Sequence, residues 1–160
     1  MQPVPRLFEN WDVLVVEDEL DSLEVARRML KLAGANVSTA TNGRDALELI
    51  ETVKPRFILS DLSMPIMDGW ELLYELKRNR RTLETPVIAL TAHSMPGDRD
   101  RAITAGFHNY ISKPLDPPKF IQQLMNILID IPNSGVYVDP NQAKNETATE
   151  SATESAESIN

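Results

Sequence analysis

The sequence contains no cysteine, and this absence excludes several classes of function at once. Without cysteine there is no disulfide framework, no thiolate zinc site and no cysteine nucleophile, and a reducing compartment fits as well as any other. The two histidines are not clustered, which also excludes the usual histidine-based zinc sites. The fold must therefore be held together by packing.

Long uncharged apolar runs are also missing. The N-terminal stretch MQPVPRLFENW has two prolines and no signal-peptide core, and no apolar run reaches the roughly 20 residues of a membrane-spanning helix. We therefore expect a cytoplasmic protein with no cleaved signal and no membrane partner.

Positive charge is scarce: 16 Lys and Arg residues stand against 24 Asp and Glu residues, for a formal net charge of -8. Phosphate backbones are bound by clustered cations, so nucleic acid is not an expected partner. The basic run KRNRR, at residues 77–81, is interpreted as the solvated end of a helix, where cations suit the helix dipole.

Composition divides the 160 residues into three parts. We expect an N-terminal extension over 1–9, one domain over 10–131, and a C-terminal extension over 132–160. From residue 141 onward, four glutamates and one lysine stand among Ser, Thr and Ala. Such a segment buries too little surface to offset the entropy of ordering, which predicts a disordered acidic tail. The short apolar run at 136–138 leaves open packing on the domain or a homodimer contact.

Strand and helix patterns alternate through the middle of the chain. Five short runs rich in β-branched and apolar residues predict strands, and each is followed by apolar residues at steps of three or four, the spacing of a helix. The predicted strands cover 12–17, 36–40, 56–61, 86–91 and 109–113. Strand and helix repeated five times indicate an α/β domain with a parallel sheet.

Four of the five predicted strands end in side chains that could take part in catalysis or bind a metal ion. Glu17 and Asp18 close the first, Asp61 the third, Thr91 the fourth and Lys113 the fifth. Open parallel sheets bind ligands beyond the carboxyl ends of their strands. If the strand order is 2-1-3-4-5, these groups converge on one crevice.

Three converging carboxylates require a positive partner. Each pair repels by about 1 kcal/mol at 4 Å even at water-like permittivity, and by more in a partly desolvated cleft. Mg²⁺ prefers oxygen ligands and typically takes one or two carboxylates together with a phosphoryl oxygen. A carboxylate beside Mg²⁺, a lysine and a threonine hydroxyl could also form an aspartyl phosphate: the carboxylate is the nucleophile, the cations neutralise charge, and the lysine and the hydroxyl donate to the phosphoryl oxygens.

Four motifs carry a resemblance to a known family. VVEDE at 15–19, LSDLSMPIMDG at 59–69, ALTAH at 89–93 and NYISKPL at 109–115 resemble the CheY-like response-regulator receiver domain of two-component signalling. The resemblance spans roughly residues 10–131. Within the family, the stretch TAHSMPGDRDRAITAG is similar to DivK-like single-domain regulators. The family resemblance implies a flavodoxin-like, doubly wound (βα)5 fold with a five-stranded parallel sheet.

The resemblance also implies a role for each site residue. Asp61 would accept the phosphoryl group with Lys113 and Thr91 as the other catalytic residues, and Thr91 and Tyr110 would form the switch. Mg²⁺ would be held by Asp18, Asp61 and the backbone carbonyl of Ser63, with Glu17 acting directly or through water. The Lys113–Pro114 bond is cis in the family, and His93 is interpreted as a solvated loop residue.

The expected function is that of a stand-alone response regulator. A histidine kinase or phosphotransfer protein would supply the phosphoryl group, and a protein target would read the changed conformation. The domain would catalyse only its own phosphorylation and dephosphorylation. Two other classes stay open: a receiver-shaped binding module in which phosphorylation is vestigial, and a Mg²⁺-dependent hydrolase. Haloacid dehalogenase-like hydrolases need a second aspartate two residues after the nucleophile, where this chain has Ser63.

Overall fold

The computed structural model describes residues 6–92 and 96–131, and it shows five strands alternating with five helices. The strands are β1 (Asp12–Val16), β2 (Asn36–Ala40), β3 (Phe57–Asp61), β4 (Val87–Thr91) and β5 (Asn109–Ser112). The helices are α1 (Leu20–Leu32), α2 (Gly43–Ile50), α3 (Gly69–Lys77), α4 (Asp98–Ala105) and α5 (Pro117–Leu128). The predicted C-terminal extension, with its run at 136–138, and His93 lie outside the described residues.

The five strands form one parallel sheet in the order β2-β1-β3-β4-β5. This confirms the predicted doubly wound fold. The chain starts in the middle of the sheet, winds outward to β2, and then crosses to the other side through β3, β4 and β5. All five residues of β3 and of β4 are buried, as expected for inner strands with helices on both faces.

Two separate cores hold the helices on the sheet. On one face, α1 and α5 contribute Ala26, Leu30, Phe120 and Leu124 to a core that also includes side chains from β1, β3 and β4. On the other face, α2, α3 and α4 cover a second core. Each helix therefore buries its apolar stripe against the sheet, which is what the three-and-four spacing predicts.

The described part of the N-terminal segment packs onto the first of these cores. Phe8 is fully buried and makes ring contacts with Trp11 and Phe57, with centroids 5.4 and 5.6 Å from its own. Its backbone N–H donates to the carbonyl of Ala33 at 2.9 Å, next to the end of α1. Residues 6–9 are thus tied to the domain by both aromatic packing and backbone hydrogen bonds.

Side-chain caps fix where two of the helices begin. The Asn42 side chain accepts a hydrogen bond from the backbone N–H of Asp45 at 2.9 Å, and Asp68 accepts one from Glu71 at 2.8 Å. Each cap satisfies one of the free N–H groups in the first turn. Across residues 6–92 and 96–131, no helix has the length and apolarity needed to cross a bilayer.

The observed strands differ from the predicted ones by a residue at several ends. Glu17 and Lys113 lie one residue beyond β1 and β5, although the ladder hydrogen bonds continue there. The N–H of Glu17 donates to Ala40 at 2.9 Å, and that of Lys113 donates to Thr91 at 2.8 Å. The ladder thus holds both backbones in place where their side chains leave the sheet.

Gly69 marks a close approach between α3 and the end of β3. A Cβ atom on this residue would come within 2.1 Å of the backbone oxygen of Asp61, a separation that no real Cβ tolerates. The N–H of Gly69 donates to the carbonyl of Leu62 at 3.1 Å. The glycine is therefore required for space: it lets the first turn of α3 pack directly against the residue that ends β3.

We predict that Gly69→Ala destabilises the domain, because the methyl group meets rigid backbone. Overpacking of this kind costs roughly 1–3 kcal/mol or more. Gly97→Ala is the matched control: nothing lies within 4 Å of its Cβ, and its φ of 95° adds only the left-handed cost of about 1–2 kcal/mol. Urea unfolding of both variants measures the difference. A Gly69→Ala variant no less stable than Gly97→Ala would contradict the steric explanation.

Candidate functional site

The strand register brings the predicted site residues to one edge of the sheet. Val16 pairs with Ser60 across β1 and β3, so Glu17 follows at the level of Asp61. Asp61 in turn pairs with Leu90, which places Thr91 one residue further along β4. Because all strands are parallel, their carboxyl ends share this edge. The predicted convergence of the strand ends is therefore present in the structure.

The ammonium group of Lys113 lies at the centre of this cluster. Its Nζ is 2.7 Å from Oε2 of Glu17 and 3.1 Å from Oδ2 of Asp61, to which it donates a hydrogen bond. Only 7% of the Lys113 side chain is exposed, so these ion pairs are largely shielded from water. The Lys113–Pro114 peptide bond is cis, as the family resemblance implies.

Glu17 is the most deeply buried acid of the site. Its side chain has no exposed surface; Oε1 accepts a hydrogen bond from the backbone N–H of Glu19 at 3.0 Å, and Oε2 faces the Lys113 ammonium without an aligned hydrogen bond. The pKa of Glu17 is raised from 4.5 to about 7; burial is the largest cause, and the negative charge of Asp61 acts in the same direction. Lys113 and the Glu19 N–H oppose this shift by favouring the carboxylate.

Lys113 stays charged in this environment for the complementary reason. Burial is the largest single influence and lowers the pKa of its ammonium group. The close ion pair with Glu17 and the hydrogen-bonded ion pair with Asp61 together outweigh burial, so the pKa of Lys113 lies above its usual value. The ammonium group of Lys113 is thus held in its charged form between the side chains of Glu17 and Asp61.

Three carboxylates of the site have the spacing that a metal ion requires. One oxygen each from Glu17, Asp18 and Asp61 lie within 4.8 Å of one another. Asp18 is exposed, Glu17 and Asp61 are buried, and the donors are all carboxylate oxygens, which suit Mg²⁺ rather than zinc. The residues present therefore fit a hard divalent cation bound at the solvent-facing side of the cluster.

Asp61 is buried but reachable. Its side chain keeps 10% of its surface exposed. The backbone N–H of Ser63 donates to Oδ1 at 3.4 Å, while Oδ2 faces Lys113. The neighbouring Ser60 hydroxyl donates to the Asp61 carbonyl at 2.9 Å, which fixes the backbone from which the carboxylate projects. The two carboxylate oxygens are thus held in different surroundings.

The two predicted switch residues lie on adjacent strands. Thr91 ends β4 and is 3% exposed, next to Lys113 through the backbone hydrogen bond described above. Tyr110 pairs with Ala89 across β4 and β5, is half-buried, and packs against the core beneath α2, α3 and α4. The structure therefore connects the strand end that carries Thr91 to the strand that carries Tyr110.

Glu19 is a member of the cluster that strand-end reasoning did not single out. Its Oε2 lies 3.9 Å from the Lys113 ammonium, its backbone N–H binds Glu17, and its Oε1 accepts a hydrogen bond from Ser22. The sequence signal was there, since Glu19 closes the acidic run after β1. Its part became visible only when α1 was seen to begin directly after this residue.

A parallel sheet with this order and this edge cluster defines a CheY-like α/β signalling domain. The chain belongs to the response-regulator receiver family of two-component signalling: the model of the response regulator receiver domain matches residues 13–125. Members of this family are signalling proteins.

Individual relatives agree with this assignment. The polar-differentiation response regulator DivK of Brucella anthropi is 35% identical over 118 residues, covering 74% of this chain and 96% of DivK. The chemotaxis response regulator CheY4 of Vibrio cholerae superimposes with a TM-score of 0.69 at 27% identity, covering 74% of this chain and 98% of CheY4. The receiver domain of sensor histidine kinase PA1611 from Pseudomonas aeruginosa, solved with magnesium in its active-site cleft, gives 0.66 at 29% identity, covering 73% and 96%.

We predict that Lys113→Met strongly destabilises the metal-free domain. Removing one partner from a buried ion pair leaves uncompensated charge and typically costs about 3–5 kcal/mol. Lys119→Met serves as the control, because Lys119 is exposed and its pair with Asp116 is long, at 3.9 Å; such a pair contributes roughly 0–1 kcal/mol. Urea unfolding in EDTA measures both. Equal stability of the two variants would show that Lys113 does not hold the carboxylates together.

Proposed function

We propose that this protein is a stand-alone response regulator that accepts a phosphoryl group on Asp61. One observation carries the proposal: the Asp61 carboxylate lies at a reachable sheet edge, 3.1 Å from the Lys113 ammonium and within a cluster of carboxylate oxygens spaced for a metal ion. A carboxylate that accepts a highly charged phosphoryl group needs cations beside it to offset that charge, and the Lys113 ammonium and a metal ion held by the carboxylates would supply them.

The proposed chemistry is transfer of a phosphoryl group from phosphohistidine of a histidine kinase or phosphotransfer protein. An oxygen of Asp61 attacks the phosphorus in line, a new O–P bond forms, and the P–N bond to the donor histidine breaks with its electron pair on nitrogen. The imidazole then takes up a proton. Lys113 lies beside the reacting carboxylate and offsets charge on the phosphoryl oxygens, and Thr91 supplies a hydroxyl at the neighbouring strand end.

Asp18, Asp61 and the backbone carbonyl of Ser63 are the proposed ligands of Mg²⁺. Both oxygens of Glu17 already face partners, the Glu19 N–H and the Lys113 ammonium, which favours a contact through water for this residue. When bound, the ion would neutralise charge on the phosphoryl group and on the carboxylates. The magnesium in the similar PA1611 receiver domain supports this choice of metal.

The proposed output is a conformational change at the Thr91 and Tyr110 side of the sheet. Phosphorylation adds charge at the edge where β4 ends, and a hydroxyl drawn toward that charge would leave space next to β5. Tyr110 is half-buried against the core there, so its ring has both an inward and an outward environment. A protein target would read the altered surface.

The stand-alone organisation rests on similarity. This chain spans 96% of DivK, a response regulator that is matched almost from end to end. A regulator of this kind acts through protein partners in the cytoplasm, and the domain turns over no substrate other than its own phosphoryl group.

We predict that Asp61→Asn abolishes labelling by radioactive acetyl phosphate, because the amide is not a nucleophile toward phosphorus. Labelling of the unchanged protein should require Mg²⁺ and disappear in EDTA. Asp21→Asn is the control, since Asp21 is an exposed acid in the first turn of α1 and outside the cluster. Persistent labelling of the Asp61→Asn protein would defeat the assignment of the acceptor.

We also predict that beryllofluoride with Mg²⁺ changes the fluorescence of Trp70. This indole packs edge-on against Phe107 with centroids 5.4 Å apart, and the Arg101 guanidinium lies 5.4 Å from its ring, so it reports how α4 sits against α3. The measurement uses a Trp11→Phe background, in which Trp70 is the only tryptophan.

The same experiment separates a working switch from a receiver-shaped binding module. A working switch changes the emission, and Asp61→Asn removes the change. If fluorine NMR shows beryllofluoride bound while the Trp70 emission stays constant, the proposed change around α4 does not occur.

A further inference from the structure

A wide groove lies at the end of the domain opposite Asp61. Its volume is about 1470 Å³, and its walls are the last turns of α2 and α3 with the segments that lead into β3 and β4. These segments precede their strands, whereas Asp61 ends one. The groove is therefore separate from the phosphorylation site.

The groove has a basic rim in an acidic protein. Lys54, Arg78, Arg80 and Arg81 line it, against two carboxylates, those of Glu51 and Glu75. Arg78 already pairs with Glu75 at 3.4 Å. The other three cations are exposed and make no ion pair with any carboxylate in the part of the chain that the structure describes. Within the run at 77–81, Arg80 and Arg81 thus present unpaired charge to the groove, in addition to any effect on the helix dipole.

The floor of the groove is apolar. Leu47, Ile50 and Val53 are half-buried there, and Leu76 closes the bottom. A small free anion would bind the cations and leave the apolar floor in contact with water. A peptide with acidic and small apolar side chains could contact both the basic rim and the apolar floor.

The chain itself carries such a peptide. Residues 146–157 read ETATESATESAE, with four glutamates separated by Ala, Ser and Thr. From residue 141 to the last residue, four glutamates and one lysine give a net charge of -3. Charge and side-chain size therefore complement the groove.

The described chain ends at the same edge of the sheet as the groove, where the strands begin. The N–H of Ile131 bonds to Leu128, the last residue of α5. The charges of Asp130, beside this end, and of Lys77, in the last turn of α3, both act on His108, whose pKa burial lowers. Asp130 and Lys77 therefore both lie near His108, which directly precedes β5. Fourteen residues lie between Ile131 and Glu146, and such a length spans up to about 50 Å.

We propose that the acidic segment 146–157 docks in this groove of the same chain, with its glutamates against Lys54, Arg80 and Arg81. Exposed ion pairs are individually weak, but covalent attachment gives the segment an effective concentration on the order of millimolar. Docking neutralises the basic rim and covers the apolar floor. It leaves the opposite edge, with Asp61, open to a phosphodonor.

The absence of cysteine makes the test direct. Ser155→Cys introduces a single thiol for an uncharged nitroxide spin label on the full chain, and ¹⁵N amide spectra report which backbone positions the label approaches. We expect selective broadening around Val53, Asn79 and Thr82 at low salt, and none at Arg27 on α1. Broadening should vanish in Arg80→Ser/Arg81→Ser and near 0.5 M salt, where screening is strong.

Matched controls keep the proposal falsifiable. Arg28→Ser/Arg99→Ser removes the same charge from exposed positions on α1 and α4 and should leave the broadening intact. Broadening that is absent, spread over the whole surface, or equally lost in both double variants overturns the proposal. So does broadening seen only when spin-labelled and ¹⁵N-labelled chains are mixed, which would indicate a second copy. Labelling of Asp61 should be unchanged in every variant, so a failure here is distinct from a failure of the proposed phosphorylation.

Discussion

The contact between the Lys113 ammonium and the carboxylates of Glu17 and Asp61 is the interaction on which the site depends. Glu17 has no exposed surface, and burial alone would drive its carboxylate toward the neutral form. One cation shared at 2.7 and 3.1 Å makes the buried negative charge tolerable. Its position follows from the sheet: the parallel strands bring their carboxyl ends to one edge, and the order β2-β1-β3-β4-β5 places β1 beside β3 with only β4 between β3 and β5.

The arrangement also leaves room for a further cation. Lys113 faces the inner side of the cluster, between Glu17 and Asp61, whereas Asp18 is exposed on the outer side. Three carboxylates beside one ammonium leave a local excess of negative charge. Like charges at such distances repel even when partly solvated. The three carboxylates together fit a site that a divalent cation would complete.

The pattern was enough to predict an α/β domain with a parallel sheet, because that much follows from backbone periodicity. The doubly wound fold was implied by the family resemblance, and convergence of the site was predicted only on the condition of the strand order 2-1-3-4-5. Contacts that depend on tertiary distances were out of reach of the pattern. Gly69 is needed because α3 passes close to the Asp61 backbone, an approach that the linear sequence does not show. Glu19 looked like one more acid in a run until the start of α1 placed it beside Lys113. The raised pKa of Glu17 likewise results from how deeply the residue is buried, and burial depth cannot be read from the linear sequence.

The aromatic packing of Phe8 has a practical consequence for anyone who trims this protein. The family match covers residues 13–125, but buried side chains continue on both sides of it: Phe8 and Trp11 before, Ile127 and Leu128 after. A fragment cut to the limits of the match would keep every acid of the Lys113 cluster and lose four members of the core beneath α1 and α5. A fragment that keeps the whole core must therefore begin before Phe8 and end after Leu128.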